Sequence, residues 1–197
     1  MVLRGQYLER AALVPCGALT LEGLYHRGHR APAVLCCPPA ESGGMDSPTL
    51  AELAWACART GHASLRFQHR GFGASTGARD PAGAVEDAEA ALAHLAASVP
   101  GPLAVAGLGS GCTTALSLLR AHPEIGCGVL LVPDLPVDAE GLAARVLVLL
   151  PEEGAPISPE CVRGATTRIV RGADGRLLRG LPELGRAAVA FLEAREP

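Results

Sequence analysis

The chain has 197 residues, of which 49% are hydrophobic and 19% charged, so it can bury a sizeable core and is not disordered. Its net charge of -3 argues against a nucleic acid or an anionic membrane as partner. All 17 basic residues are arginine, a bias typical of GC-rich bacterial genomes. Without lysine, Schiff-base chemistry, pyridoxal phosphate and the lysine-containing P-loop are excluded. The length predicts a single domain over residues 1–197.

Targeting signals and cysteine spacing indicate the compartment. Residues 1–14 are interrupted by charges and lack the apolar run of a signal peptide, and no apolar stretch is long enough to span a membrane. The seven cysteines contain no C-x-x-C pair and mostly lie in apolar runs. We therefore expect a cytoplasmic protein with reduced, buried thiols, no metal site and no cofactor.

Two strand-like runs, 7–14 and 18–26, open the chain, and short apolar runs then alternate with helical patterns. Further strands are predicted at 33–37, 63–67, 103–106, 126–132, 145–150 and 167–171, and helices at 48–60, 111–121 and 181–194. Another helix, capped by Asp80, runs to about residue 97. Ser47 and Gly61 are the expected ends of the first helix.

Apolar strands that alternate with helices predict a mostly parallel sheet of about eight strands, covered by helices on both faces. The short connection 133–144 predicts that no lid domain is inserted there. In such a sheet, ligands bind beyond the carboxyl ends of the strands.

Three loops at that edge carry distinctive motifs. The segment 35–46 reads LCCPPAESGGMD, and the segment 65–77 reads LRFQHRGFGASTG. The segment 107–111, GLGSG, forms a tight turn between a strand and a helix.

Together the three loops resemble those of the small, lidless α/β-hydrolases of the serine-aminopeptidase and dienelactone-hydrolase kind. Those proteins typically show an HPHPxxGG-like loop, then LRFNFRGxGxSxG, then the nucleophile elbow GFSxG. The segment 172–175, GADG, resembles their closing GA(N/D)H segment. The resemblance covers nearly the whole chain and implies an α/β-hydrolase-like three-layer sandwich.

The same resemblance implies that the three catalytic positions carry glycine. Alignment with GFSxG places Gly109 where the nucleophilic serine belongs, and the acid and base positions fall on Gly154 and Gly175. None of the six histidines aligns with the base position. The resemblance therefore implies a degenerate hydrolase without a Ser-His-Asp triad, in which Gly109 adopts positive φ.

Four residues remain as pocket candidates: Cys37, Gln68, His69 and Ser110. Ser110 is either a displaced nucleophile or a helix-start residue whose hydroxyl caps a backbone N–H, and the second is favoured because no histidine can activate it. His69 is either a general base or ligand contact, or a structural histidine bonded to the loop backbone. An inert Cys37 thiol is favoured over a thiolate, which would need a basic neighbour.

Asp134 stands where some α/β-hydrolases keep their acid, although a surface-loop aspartate is the more ordinary interpretation.

Three functional hypotheses follow. The first is a binding, scaffold or regulatory protein that keeps the fold and its pocket, with a small molecule, a peptide or a protein as partner. The second is a repurposed enzyme of epimerase, cyclase or lyase type, as in natural-product pathways. The third, an ordinary serine esterase or peptidase, is disfavoured by the glycines at the triad positions. A homo-oligomer is left open.

Overall fold

The computed structural model describes residues 9–142, 145–175, 177 and 179–195. The strands in this part of the chain are β1 (Arg10–Cys16), β2 (Leu19–His26), β3 (Arg30–Cys37), β4 (His62–Phe67), β5 (Leu103–Leu108), β6 (Ile125–Leu131), β7 (Val137–Asp138), β8 (Val146–Pro151), β9 (Val162–Arg163) and β10 (Thr166–Val170). The α-helices are α1 (Pro48–Thr60), α2 (Ala84–Ser98), α3 (Gly111–Ala121) and α4 (Leu181–Glu193).

Eight strands form one sheet in the order β1-β2-β4-β3-β5-β6-β8-β10. β2 runs antiparallel to both of its neighbours, and every other neighbouring pair in this sheet is parallel. The mostly parallel sheet expected from the sequence is therefore confirmed. β7 and β9 pair separately as a two-stranded parallel sheet. The sequence did not predict this small sheet because two-residue strands leave no periodic pattern.

Helices cover both faces of the large sheet. α2 and α3 pack on one face, where Leu95 and Leu118 join a core with Leu35 of β3. α1 and α4 pack on the other face, where Leu50 belongs to a second core with Cys36. Adjacent residues of β3 thus lie in opposite cores, because successive side chains of a strand point to opposite faces.

Local sequence signals explain where α1 begins and ends. The Ser47 hydroxyl accepts a hydrogen bond from Leu50 N at 3.3 Å, and Gly61 adopts a left-handed conformation with φ +90°.

Asp80 caps a short 3₁₀ turn over Pro81–Gly83 and not α2 itself, so the predicted start of that helix is wrong by about one turn. The first strand begins and ends later than predicted, and residues 7–8 of that prediction lie outside the described residues.

The described residues of the connection between β6 and β8 include the short strand β7 and form no lid domain. In the part of the chain described above, no helix combines the length and the apolar character needed to cross a membrane.

A buried carboxylate on α2 joins this helix to the loop that follows β4. Asp87 is fully buried, and its oxygens accept hydrogen bonds from Arg70 N at 2.9 Å and Arg70 Nε at 2.7 Å. The Cys16 thiol of β1 lies 3.7 Å from the same carboxylate. Burial raises the pKa of Asp87, but hydrogen bonds from His69 and Arg70 outweigh burial and bring it to about 2.

We predict that Asp87→Asn lowers the free energy of unfolding by about 3 kcal/mol, because Arg70 then loses its buried charge partner. Because the folded-state pKa of Asp87 lies below that of the unfolded chain, the wild-type protein keeps this contribution above about pH 4. It is lost as the pH falls toward about 2. Urea unfolding at several pH values measures both effects.

The matched control is Glu86→Gln, since Glu86 also binds Arg70 at 2.6 Å but is 70% exposed. This variant should change stability by less than about 1 kcal/mol. Equal losses in the two variants would contradict a special role for the buried carboxylate.

Candidate functional site

The strand-to-helix turn 107–111, called the elbow from here on, lies between β5 and α3 at the carboxyl edge of the sheet. Gly109 has φ +56°, as expected for this position. A Cβ added to Gly109 would lie 3.7 Å from Pro39 Cγ and 3.9 Å from Asp134 Oδ2, at ordinary contact distances. A Cβ at Gly109 would therefore clash with no neighbour, although the positive φ disfavours it, and Asp134 borders the space that it would occupy.

The two other glycines of the elbow are required by close backbone packing. A Cβ on Gly111 would lie 2.6 Å from Pro38 O, and a Cβ on Gly107 would lie 2.6 Å from Cys112 N. Real Cβ contacts are not this short, so a side chain at either position would push the backbone apart. The elbow thus lies directly against the loop 38–47, which joins β3 to α1.

Ser110 connects the elbow to this 38–47 loop. Its hydroxyl oxygen accepts a hydrogen bond from Ala40 N at 3.0 Å, and its hydroxyl proton is donated to the Glu41 carboxylate. Ser110 lies at the N-cap position of α3 but makes no side-chain bond to that helix. The expected helix cap is therefore wrong, because the hydroxyl binds a backbone N–H of the neighbouring loop and none at the start of its own helix.

Gly154 and Gly175, the residues aligned with the acid and the base, lie against each other. A Cβ added to Gly154 would be 3.6 Å from Gly175 Cα. A Cβ added to Gly175 would be 3.0 Å from the carbonyl carbon of Gly154 and closer still to its oxygen. A side chain at residue 175 therefore requires a shift of the backbone.

Asp134 is brought to the elbow by an unusual turn at the end of β6. Val132 has φ +46°, a conformation that β-branched residues rarely adopt, and its N–H binds Leu149 O at 2.9 Å. Two residues later, the exposed Asp134 carboxylate borders the space above Gly109. The sequence analysis favoured an ordinary surface-loop aspartate and did not predict that Asp134 lies beside Gly109.

Glu152 and Glu153, which directly follow β8, are both exposed. Each also holds the segment that follows β10. Glu152 accepts a hydrogen bond from Gly172 N at 2.8 Å, and Glu153 pairs with Arg179 at 3.2 Å.

Two of the four pocket candidates are structural. Gln68 Oε1 accepts hydrogen bonds from Gly44 N at 3.0 Å and Met45 N at 3.4 Å, which holds the far end of the 38–47 loop. Cys37 is fully buried, and burial raises the pKa of its thiol well above the ordinary value. Its thiol is therefore neutral, and no nucleophilic thiolate is available at this position.

His69 lies beneath the 38–47 loop and is only 1% exposed. Its Nδ1 is 3.3 Å from Asp87 Oδ2, and its Nε2 is 3.2 Å from Pro38 O. Because both ring nitrogens are engaged in these contacts, this geometry fits the structural histidine bonded to the loop backbone and not the general base.

Sequence reasoning missed Glu41 and Asp87. Asp87 could have been noticed, because it falls on the buried face of α2 with Ala84, Ala88 and Ala91. Glu41 carries no such signal, since its contact with Ser110 joins residues 69 positions apart. Among the described residues, no group of three or more histidine, cysteine, aspartate or glutamate side chains is arranged to hold a metal ion.

No family model and no curated protein matches the chain. Among solved structures, it is similar to an esterase from Pyrococcus furiosus, with a TM-score of 0.80 at 14% identity, over 98% of this chain and 94% of the esterase. A serine hydrolase without a lid from Xanthomonas campestris aligns with a TM-score of 0.75 at 19% identity, over 96% of this chain and 95% of the hydrolase. For a protein of unknown function from Agrobacterium tumefaciens, the TM-score is 0.77 at 24% identity, over 95% of this chain and 96% of that one.

These similarities show that the chain has the α/β-hydrolase fold. At such low identities they concern the fold alone, and the chemistry of the site has to be argued from its own residues.

We predict different costs for a methyl group at two glycines of the elbow. Gly109→Ala should lower the free energy of unfolding by about 1 kcal/mol, because space is available and only the positive φ is unfavourable. Gly111→Ala should cost about 3 kcal/mol, because its Cβ would overlap the backbone of Pro38. Urea unfolding of both variants measures the difference. A Gly111→Ala protein as stable as Gly109→Ala would contradict the close contact between the elbow and the 38–47 loop.

Proposed function

We propose that the chain is a cytoplasmic, non-hydrolytic member of the α/β-hydrolase fold that binds a small molecule, a peptide or a protein. The observation that carries this proposal is the contact between Gly154 and Gly175, the residues aligned with the acid and the base. They lie side by side, as acid and base positions of a triad should, and neither carries a side chain. Gly175 also has no room for one beside Gly154. A charge-relay pair therefore has no place to form.

The hydrogen bonds of Ser110 support the same proposal. In active α/β-hydrolases, the oxyanion is bound by the N–H of the residue after the nucleophile and by an N–H from the loop that here spans residues 38–47. In this chain, Ala40 of that loop gives its N–H to the Ser110 hydroxyl. An oxyanion could use that donor only by displacing Ser110.

Ser110 itself is poorly suited to attack a substrate. Its hydroxyl accepts from Ala40 N and donates to Glu41, so its position is determined by two partners within the protein. His69, the histidine that binds the 38–47 loop, directs its two ring nitrogens to Asp87 and Pro38. A serine without an imidazole base stays protonated at neutral pH and is a weak nucleophile.

We predict that the wild-type protein is not labelled by a fluorophosphonate and does not turn over p-nitrophenyl esters beyond a weak remnant. Loss of the triad costs about 10⁶-fold in turnover, and binding with oxyanion stabilisation leaves only about 10³–10⁴-fold over water. Gly109→Ser should also stay unlabelled, because it restores a hydroxyl but no base.

Ser110→Ala is the matched control for this experiment. Stoichiometric labelling and ester turnover in the wild type, both abolished in Ser110→Ala, would show a nucleophile displaced by one residue. That outcome would overturn the proposed loss of hydrolysis.

A second candidate function, a repurposed enzyme of epimerase, cyclase or lyase type, is favoured by one specific arrangement. The Glu41 carboxylate binds Ser110, and the Asp134 carboxylate borders the space above Gly109. Two carboxylates beside an empty nucleophile position could move protons on a bound substrate without a covalent intermediate.

Ligand binding followed by product analysis separates the two functions. We predict that a carboxylate, ester or amine ligand found by thermal shift is recovered unchanged after incubation with the wild-type protein. Conversion of that ligand, lost in Glu41→Gln or Asp134→Asn but kept in the control variant Glu140→Gln, would instead establish the repurposed enzyme.

A further inference from the structure

A groove of about 310 Å³ opens to solvent between α1 and α4. The two helices are in close contact beneath it, since a Cβ added to Gly185 of α4 would lie 3.0 Å from Ala56 Cβ of α1. Trp55, the one tryptophan of the chain, lines the groove and is 42% exposed. A large aromatic ring left partly in water beside a groove is typical of a surface that binds another protein.

α1 and α4 run in the same direction along the groove. Near the start of both helices, a Cβ added to Gly185 would lie 2.8 Å from Glu52 Oε1. Near their ends, the Arg30 guanidinium donates hydrogen bonds to Thr60 O at 3.2 Å and to Glu193 Oε1 at 2.8 Å. Glu52 and Glu193 therefore lie at opposite ends of the groove, on different helices.

Charges of opposite sign alternate around the groove. α1 carries Glu52 near the first end and Arg59 near the far end, whereas α4 carries Arg186 near the first end and Glu193 near the far end. Both charges of α4 are paired within the chain, Glu193 with the arginine described above and Arg186 with Glu183 at 3.0 Å. The charges of α1 are therefore the ones that a partner can pair with.

Glu52 and Arg59 form no ion pair with another described residue. They are two helical turns apart, about 10 Å along the axis, which is too far for them to pair with each other. Burial raises the pKa of Glu52, although Arg59 and Arg186 lower it, so the protein does not fully compensate this carboxylate. The Arg59 guanidinium lies over the Trp55 ring, 4.4 Å from its centroid, and its edge can still donate hydrogen bonds.

We propose that the α1 stripe, formed by Glu52, Trp55, Ala56 and Arg59, binds a second copy of the chain in the antiparallel orientation. Glu52 and Arg59 lie equally far from the midpoint between Trp55 and Ala56. A two-fold axis at that midpoint places Glu52 of each copy opposite Arg59 of the other. Trp55 of each copy then packs over the groove of the other and leaves the solvent.

The charge pattern selects this orientation. A parallel arrangement would place Glu52 against Glu52 and Arg59 against Arg59, which repel each other. An arrangement of α1 against α4 would compete with the ion pairs that Arg186 and Glu193 already make. Only the antiparallel contact between two α1 helices joins charges that have no other ion pair among the described residues.

The size of the face determines the strength of the dimer. Each of the two helices has 13 residues and is therefore about 20 Å long. Such a face is smaller than a standard protein interface, so we expect a dissociation constant of about 1–100 µM. The dimer does not depend on the proposed function, because the stripe contains no residue of the elbow or of the 38–47 loop. Ester hydrolysis by the wild type would leave the proposal unaffected.

Sedimentation velocity of the wild-type protein, at concentrations of about 1–500 µM, should show a reversible equilibrium of monomer and dimer. Over the same range, the tryptophan emission should shift to shorter wavelength, because Trp55 is removed from water and the chain has no other tryptophan. A protein that stays monomeric at the highest concentration would overturn the proposal. A dimer that leaves the emission unchanged would overturn the assignment to this face.

Two charge reversals test the antiparallel orientation. Glu52→Arg and Arg59→Glu each place like charges opposite each other in the homodimer, so each should raise the dissociation constant at least about tenfold. In an equimolar mixture, the heterodimer again pairs opposite charges at both places, and association should return to the wild-type strength. If two variants with wild-type thermal unfolding do not associate in the mixture, the antiparallel orientation is wrong.

Trp55→Glu should raise the dissociation constant at least about a hundredfold, because a charge replaces the central ring in both halves of the interface. The matched control is Val85→Glu, since Val85 is 40% exposed but lies on α2, which packs on the opposite face of the sheet. The control should dimerise as the wild type does. Equal weakening in the two variants would contradict a specific role of the α1 stripe.

Discussion

The buried Asp87 carboxylate is the interaction on which the organisation of the sheet edge depends. It lies on α2 but is bonded through Arg70 and His69 to the loop after β4, and it also contacts Cys16 of β1. A carboxylate buried without partners would cost several kcal/mol, so α2 can pack in this position only when that loop is in place. Through His69, the same carboxylate is linked to the Pro38 carbonyl and from there to the elbow. The buried Asp87 carboxylate is therefore connected, through His69 and the Pro38 carbonyl, to the backbone that forms the site.

The elbow shows that packing and chemistry impose separate requirements on the same turn. Gly107 and Gly111 are needed because two stretches of backbone meet without room for a Cβ. At Gly109 the close approach of backbone is missing, since a Cβ there would be at normal contact distance, and only its positive φ favours glycine. The close packing of the turn thus depends on Gly107 and Gly111, and a Cβ at Gly109 would meet its neighbours only at ordinary contact distances.

Much of the architecture could be read from the sequence, because hydrophobic periodicity and capping residues act locally. The alternation of apolar strands with helices predicted the parallel sheet, and Ser47 and Gly61 marked the ends of α1 correctly. Predictions from local sequence patterns were wrong or missing where a residue interacts with an element other than the one that its neighbours in the sequence indicate. Asp80 caps a 3₁₀ turn and not the helix that follows, and the two-residue strands β7 and β9 exist only through their pairing.

Residue types and their spacing along the chain were enough to predict a mostly parallel sheet covered by helices on both faces. The α/β-hydrolase-like arrangement and the interest of the glycines at positions 109, 154 and 175 came from the resemblance of the loop motifs. The roles of the remaining polar groups followed from the three-dimensional arrangement alone. It paired Ser110 with Ala40 and Glu41, brought Asp134 to the edge of the elbow, and placed His69 between a carboxylate and a carbonyl. The physical reason is that hydrogen bonds and charge pairs are decided by distance and burial in space. Residues 69 positions apart in the chain can therefore form a hydrogen bond that no local sequence pattern indicates.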